Sequence, residues 1–198
     1  ILDTADFTID GDSAHMWYDG YNINAKDLNG DNIDDFAIPS TVNNRKILYI
    51  YYGNDSLDVF VDDSIVTNEP QGIIPCKLGD INNDGLSDIS IVWWNEDTVS
   101  IFIDDNIQTP EYVFALPTES MGSTVRWMGD INADGYDDFL ITGRNMNARL
   151  YFGGDTLDVN TYTELYEIVG WGNNSGASGV GDVNGDGIDD FVLAASSS

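Results

Sequence analysis

Four copies of one oxygen-rich nonapeptide carry the chemistry this sequence can hold. They read Asp27-Leu-Asn-Gly-Asp-Asn-Ile-Asp-Asp35, Asp80-Ile-Asn-Asn-Asp-Gly-Leu-Ser-Asp88, Asp130-Ile-Asn-Ala-Asp-Gly-Tyr-Asp-Asp138 and Asp182-Val-Asn-Gly-Asp-Gly-Ile-Asp-Asp190, with starts 53, 50 and 52 residues apart. Counted from 1 to 9, positions 1, 3, 5 and 9 are Asp, Asn, Asp and Asp in every copy. They are Asp27, Asn29, Asp31 and Asp35, then Asp80, Asn82, Asp84 and Asp88. The third set is Asp130, Asn132, Asp134 and Asp138, and the fourth is Asp182, Asn184, Asp186 and Asp190. Position 7 is apolar (Ile33, Leu86, Tyr136, Ile188), so only its carbonyl oxygen could join them. Alternate residues of a tight turn point inward, and three carboxylates gathered there repel one another unless a cation sits between them.

The expected cation is calcium, about four ions, one per loop. Calcium accepts roughly six to eight hard oxygens with tolerant geometry, whereas magnesium demands a stricter octahedron and keeps its water. Position 6 must turn sharply and is Gly85, Gly135 and Gly187, with Asn32 in the first copy, the next residue in line for a positive φ. An EF-hand is excluded, because position 12 (Ile38, Ile91, Ile141, Leu193) is apolar where that motif needs an acidic ligand.

Composition agrees. Of 35 acidic residues 29 are Asp, and 15 of those lie in the nonapeptides; an acidic helical surface would favour Glu. The formal charge of -28 would fall to about -20 with four divalent ions bound, so metal binding is expected to couple to folding. With 42% hydrophobic and 12% aromatic residues the chain can build a core and is no disordered acidic tail. Seven Lys and Arg argue against nucleic acid as a partner, and no apolar run is long enough for membrane insertion as a helix. Cys76 is alone, which excludes an internal disulfide and a cysteine zinc site.

The elements that must position the loops are short strands. Each loop runs into an apolar segment: Phe36 to Ile38, Ile89 to Trp93, Phe139 to Ile141, Phe191 to Leu193. A second β-branched and aromatic run follows at Ile47 to Tyr52, Val99 to Ile103 and Leu150 to Phe152, and a third is read at Leu57 to Val61. Runs this short, bounded by turn residues and without helical period, predict an all-β chain with about four strands per unit. A period near 50 suits the blades of a β-propeller. The chain then reads as a single repeat domain over residues 1–198. It comprises a partial unit at 1–26, units starting at the loops (27–79, 80–129, 130–181) and a partial unit at 182–198.

These features resemble the FG-GAP (integrin-α-like, or VCBS-type) repeat family. The resemblance rests on the four loops together with Tyr52-Gly53-Asn54-Asp55 and Tyr151-Phe152-Gly153-Gly154, and is best at Gly129 to Phe139 and Gly181 to Phe191. It implies four-stranded antiparallel blades in a calcium-stabilised propeller, with the ions on the loop positions named above. Three departures stand out. Lys26 replaces the glycine before the first loop, Ile89 replaces phenylalanine after the second, and Ile103-Asp104-Asp105 stands where an aromatic-glycine turn is expected, so that blade is expected to be distorted there. Joined head to tail, the ends fall about nine residues short of a unit, so the chain is expected to belong to a larger propeller or to be completed by neighbouring copies.

No catalytic constellation emerges. His15 is the one histidine, which makes a Ser-His-Asp triad improbable, and it is read as a packing or surface residue. Cys76, between Pro75 and Lys77 in what reads as a linker between units, is expected to be buried or inert. Trp17, Trp127 and Trp171 precede their loops by ten, three and eleven residues, which suggests a structural slot at blade junctions; a platform for sugar rings is the alternative for the tryptophans, Trp93 and Trp94 included. Asn54-Asp-Ser56 and Asn173-Asn-Ser175 match the glycosylation sequon in pattern. The expected function is a non-catalytic, calcium-binding repeat module outside the cell, secreted or at the cell surface. There it would meet a protein or glycan ligand and serve adhesion, ligand recognition or assembly. The alternatives are a glycan-binding lectin, a structural subunit self-associating into a ring or filament by exchange of terminal strands, and a polysaccharide-active enzyme domain using paired carboxylates.

Overall fold

The chain is described here from a computed structural model, over residues 23–43, 45–54, 60–67, 73–93, 98–103, 107–115, 121–143, 148–165 and 176–194. All of the regular structure among the described residues is β, in four antiparallel sheets. The first sheet holds β1 (Ile23–Lys26), β2 (Asp35–Val42), β3 (Arg45–Tyr51) and β4 (Asp63–Val66). The second holds β5 (Ile73–Gly79), β6 (Asp88–Trp93), β7 (Thr98–Phe102) and β8 (Tyr112–Ala115). The third holds β9 (Met121–Gly129), β10 (Asp138–Gly143), β11 (Ala148–Tyr151) and β12 (Thr163–Leu165), and the last is the pair β13 (Gly176–Gly181) and β14 (Asp190–Ala194). Every strand pairs with its neighbour in sequence, so each sheet is a plain meander. Each nonapeptide joins the first strand of a sheet to the second. Its last residue already opens β2, β6, β10 or β14, and the register shifts by one residue at that point in all four sheets. Such a bulge sharpens the local twist and aims the loop away from the ladder.

The apolar runs that follow the loops fall on the second strands as expected, and the next runs on β3, β7 and β11. Of the third run, residues 57–59 lie outside the described residues, Phe60 and Val61 are exposed and outside any strand, and the fourth strand is Asp63–Val66. Its pairing is set by Asp62: the Asp62 N–H donates to the Ile50 carbonyl at 3.0 Å, and its Oδ2 accepts from the Tyr52 N–H at 2.7 Å. Cys76 is also displaced from the linker expected for it. It lies in β5 opposite Ser90, fully inside, and burial pushes its thiol up. Pro75 is tolerated beside it because β5 is an edge strand that can spare a ladder donor.

The sheets pack face on face, and the first strands of successive sheets approach one another most closely. Ile23, Ala25, Leu28 and Ile50 of the first sheet meet Ile73, Ile89 and Phe102 of the second. Ile74, Leu78 and Val99 of the second meet Val125, Phe139 and Tyr151 of the third, and Met128 and Leu140 of the third meet Ala177 of the last. The second junction is aromatic: Phe139 stacks on Tyr151 at 5.2 Å between centroids, with Phe114 edge-on to both. Covered on both sides, β6 is buried along nearly its whole length, whereas β1 alternates buried and exposed.

The glycine after each aromatic strand end is set by a close approach. A Cβ on Gly53 would lie 2.5 Å from the Asp34 carbonyl oxygen, and one on Gly153 would lie 2.5 Å from that of Asp137 and 2.7 Å from that of Ile81. The Ile81 oxygen belongs to the preceding sheet and accepts the Gly154 N–H at 2.8 Å. The corresponding residue of the second sheet, Asp104, lies outside the described residues; Thr98–Phe102 and Tyr112–Ala115 on either side pair in register. Gly153→Ala is expected to destabilise by about 1–3 kcal/mol, as overpacking against unyielding backbone does. Gly154→Ala, whose added carbon would meet nothing nearer than 3.7 Å, is expected to be near neutral. Urea unfolding of the two variants checks the difference.

Candidate metal centre

Each loop is built by side chains that turn back onto its own main chain. In the third loop Asp130 Oδ1 accepts the Asp134 N–H at 3.0 Å and Oδ2 the Gly135 N–H at 2.8 Å. Asn132 Oδ1 accepts from Asp134 N–H at 2.9 Å, and its amide donates to Asp134 Oδ2 at 2.8 Å. Asp134 Oδ1 then accepts the Tyr136 N–H at 3.1 Å. The same set recurs as Asp80, Asn82 and Asp84 in the second loop and as Asp182, Asn184 and Asp186 in the fourth. In the first loop Asp27 takes the N–H groups of Asn29, Gly30 and Asn32, Asn29 that of Asp31, and Asp31 that of Ile33. Positions 1, 3 and 5 are thus brought together at the turn. Asx turns of this kind suit Asp and Asn because their short acceptors reach the amides two residues on.

Position 9 stands apart. Asp35, Asp88 and Asp138 are buried at the foot of their loops, and Oδ2 of each accepts the N–H of position 2, at 2.7, 2.8 and 3.0 Å. Asp190 repeats the bond to Val183 at 3.1 Å. The other oxygen of Asp35 and of Asp138 accepts from Gly53 and Gly153, so position 9 ties the loop to the third strand. Burial pushes the Asp138 carboxyl up to about 7, with the charges of Asp134 and Asp130 adding to the rise, and Asp35 is raised for the same reason. Asp182, on an exposed loop, is held below the usual range by the N–H of Gly187.

All these donors are hard oxygens from Asp, Asn and the position 7 carbonyls, which suits a cation such as calcium and offers nothing to a soft metal. Among the described residues no three carboxylate, thiolate or imidazole groups converge as a metal cluster. The reason is local. The Asn amide occupies one oxygen of position 5, and main-chain N–H groups draw positions 1 and 9 apart. Buried Asp138, faced by the charges of half-buried Asp130 and exposed Asp134, is the carboxylate a cation would relieve most.

Three features went unread in the sequence. Beyond position 6, positive φ recurs at position 4 (Gly30, Asn83, Ala133, Gly185) and just before the loop (Lys26, Gly79, Gly129, Gly181). Position 8 does not serve its own loop: it reaches the loop before it. The N–H groups of Ser87, Asp137 and Asp189 donate to the carbonyls of Asp27, Asp80 and Asp130 at 2.8, 2.9 and 3.2 Å. In return Asp137 and Asp189 accept from the N–H groups of Asp80 and Asp130 at 2.9 and 3.2 Å. This reciprocal latch explains the glycine before the loop, since a Cβ on Gly79 or Gly129 would collide with the Asp137 or Asp189 carboxylate. It also explains why Lys26 is tolerated: its partner position is Ser87, a shorter side chain. The pairing of Lys26 with Ser87, against glycine with Asp elsewhere, was the signal on offer.

Of the tryptophans, Trp127 is half-buried under the Lys77 ammonium, which lies 4.8 Å from the ring centroid across the second junction, and Trp93 donates to Ser100 Oγ at 2.8 Å. Both serve packing. Trp17, Trp94, Trp171, His15 and Asn173 lie outside the described residues, and Asn54 is exposed. Comparison of the sequence with protein-family models gives no match, and comparison with the curated proteins gives none either.

The latch generates a double-mutant cycle. Ser87→Asp alone is expected to destabilise the chain by crowding Lys26, while Ser87→Asp with Lys26→Gly restores the latch of the other junctions. A favourable coupling of about 1–2 kcal/mol between the two positions is expected in chemical denaturation, the range for contacting residues.

Proposed function

We propose that the chain is a calcium-binding module of stacked blade-type repeats, akin to FG-GAP repeats, that works outside the cell as a rigid recognition or assembly surface rather than as a catalyst. The observation that carries this reading is the recurrence of the loop: at four successive sheet turns the position 1 Asp accepts the N–H of position 6, the position 3 Asn that of position 5, and the position 5 Asp that of position 7. The ligands would be positions 1, 3, 5 and 9 with the position 7 carbonyl, and the ion would supply charge neutralisation where the buried position 9 carboxylate meets the charges of positions 1 and 5. The meander sheets, packed through their first strands, support a propeller-like fan of blades. An extracellular setting suits loops of this kind, because extracellular calcium modules typically bind at about 10⁻⁴–10⁻³ M, a level met outside cells.

Removing calcium with EDTA is expected to lower Tm, since an ion that binds only the folded chain stabilises it by mass action. Asp134→Ala is expected to remove one of about four ions counted by equilibrium dialysis, whereas Asp155→Ala, outside the loops, removes none. Equal stoichiometry in the two variants, or a Tm indifferent to chelation, would overturn the reading.

A further inference from the structure

Three departures from the repeat converge on one cleft. At the rim of the second junction, beside the second loop, lies a cavity of about 250 Å³ with walls from both sheets. The second sheet and its connections supply Ile103, Thr109, Glu111 and Tyr112, and the third supplies Asp155. Ile103 stands where the first and third sheets carry Tyr52 and Phe152. Tyr52 packs into the first junction, whereas the smaller Ile103 leaves space at the second. Glu111 stands where the first sheet has Asp62, since the N–H groups of both donate to equivalent strand carbonyls, those of Ile101 and Ile50, at 2.9 and 3.0 Å. Asp62 Oδ2 is taken by the Tyr52 N–H, but the Glu111 carboxylate has no hydrogen-bond partner among the described residues. Position 7 of the third loop is Tyr136 where the other loops hold Ile33, Leu86 and Ile188, and its O–H donates to Asp155 Oδ1 at 2.7 Å. That bond fixes a second carboxylate at the cleft. The walls are themselves tied across the junction: the Gly154 N–H donates to the Ile81 carbonyl at 2.8 Å, and the Leu157 N–H to the Tyr112 hydroxyl at 3.1 Å.

We propose that this cleft binds a primary ammonium group on an aliphatic stem, carried by a small amine or by a lysine side chain of another protein. No Lys or Arg lines the cleft, so its two carboxylates lack a counter-charge of their own in a chain of formal charge -28. Glu111, Asp155 and the Thr109 hydroxyl offer acceptors from both walls, and an ammonium presents three donors from one compact centre. A planar guanidinium instead sets its fork against a single carboxylate, and a neutral sugar would leave both charges unmet. Ile103 and Tyr112 offer apolar surface to the stem. A divalent ion is poorly served, because only two carboxylates line the cleft and Asn82 at its border already gives its amide to Asp84 at 2.8 Å. The site goes beyond the metal reading: neither Glu111 nor Asp155 is a proposed calcium ligand.

Calorimetric titration in calcium buffer at physiological salt, which screens the long-range pull of the whole chain, tests it. The probes are putrescine and N-acetyl-lysine amide, and 1,4-butanediol, with hydroxyls in place of the ammonium groups, is the blank. Both amines are expected to bind and the diol is not; tighter binding of putrescine marks a small amine as the ligand, and of N-acetyl-lysine amide a protein side chain. Glu111→Gln is expected to weaken binding at least about tenfold, the lower end for a hydrogen bond to a charged group. Ile103→Tyr, which restores the ring found in the first sheet, is expected to abolish binding with every charge in place. Tyr136→Phe keeps the ring and the main-chain carbonyl but releases Asp155, and is expected to weaken binding severalfold. Asp62→Asn removes a charge from the place in the first sheet equivalent to Glu111 and leaves affinity unchanged. Circular dichroism confirms that the variants stay folded. A diol that binds as well as the amines, an affinity indifferent to Glu111→Gln and Tyr136→Phe, an equal loss in Asp62→Asn, or a calcium count that falls in Glu111→Gln would overturn the proposal.

Discussion

The main-chain N–H groups of each loop must be satisfied, and the carboxylates of Asp satisfy them. A nine-residue turn with two left-handed positions, and a third just before it, cannot make ladder bonds, and unpaired amides are costly. Asp at positions 1, 5 and 9 and Asn at position 3 supply acceptors at the right reach, and in doing so place three carboxylates within one short turn. The rest of the molecule is arranged around that compromise. Position 9 ties the loop to the third strand, position 8 ties it to the loop of the preceding sheet, and the leading glycine makes room for the tie.

Stability in such a chain is shared between loops and junctions. The sheets are small meanders with apolar faces that need cover. They bury their faces against one another, with the aromatic cluster of Phe114, Phe139 and Tyr151 at the best-covered junction. The loops then hold adjacent first strands together at one end of the stack by the reciprocal bonds between positions 1 and 8. A cation in the loops would act on both levels, neutralising the charge that burial of Asp138 opposes and stiffening the turn from which the latch springs.

Much of the fold was legible in the sequence because it repeats. The second and third strands of each unit follow the loops at fixed distance and carry the β-branched and aromatic residues that pack between sheets. The fourth strand of the first sheet was misplaced because Leu57 to Val61 is more apolar than Asp63–Val66, whereas the pairing is set by the bonds of Asp62 to Ile50 and Tyr52. Cys76 was read into a linker because Pro75 precedes it, and an edge strand absorbs that proline. The turn-forming roles of positions 1, 3 and 5 follow from residue type alone. Position 8 was passed over because its parity points it out of the loop, and outward in this stack is toward the neighbour.

The most direct measurement is an anomalous-difference map from crystals grown in calcium. It is expected to show a peak in each of the four turns, about 2.3–2.6 Å from oxygens of positions 1, 3, 5, 7 and 9. Turns without such peaks, with their carboxylates still bonded to main-chain N–H groups as described above, would contradict the central claim.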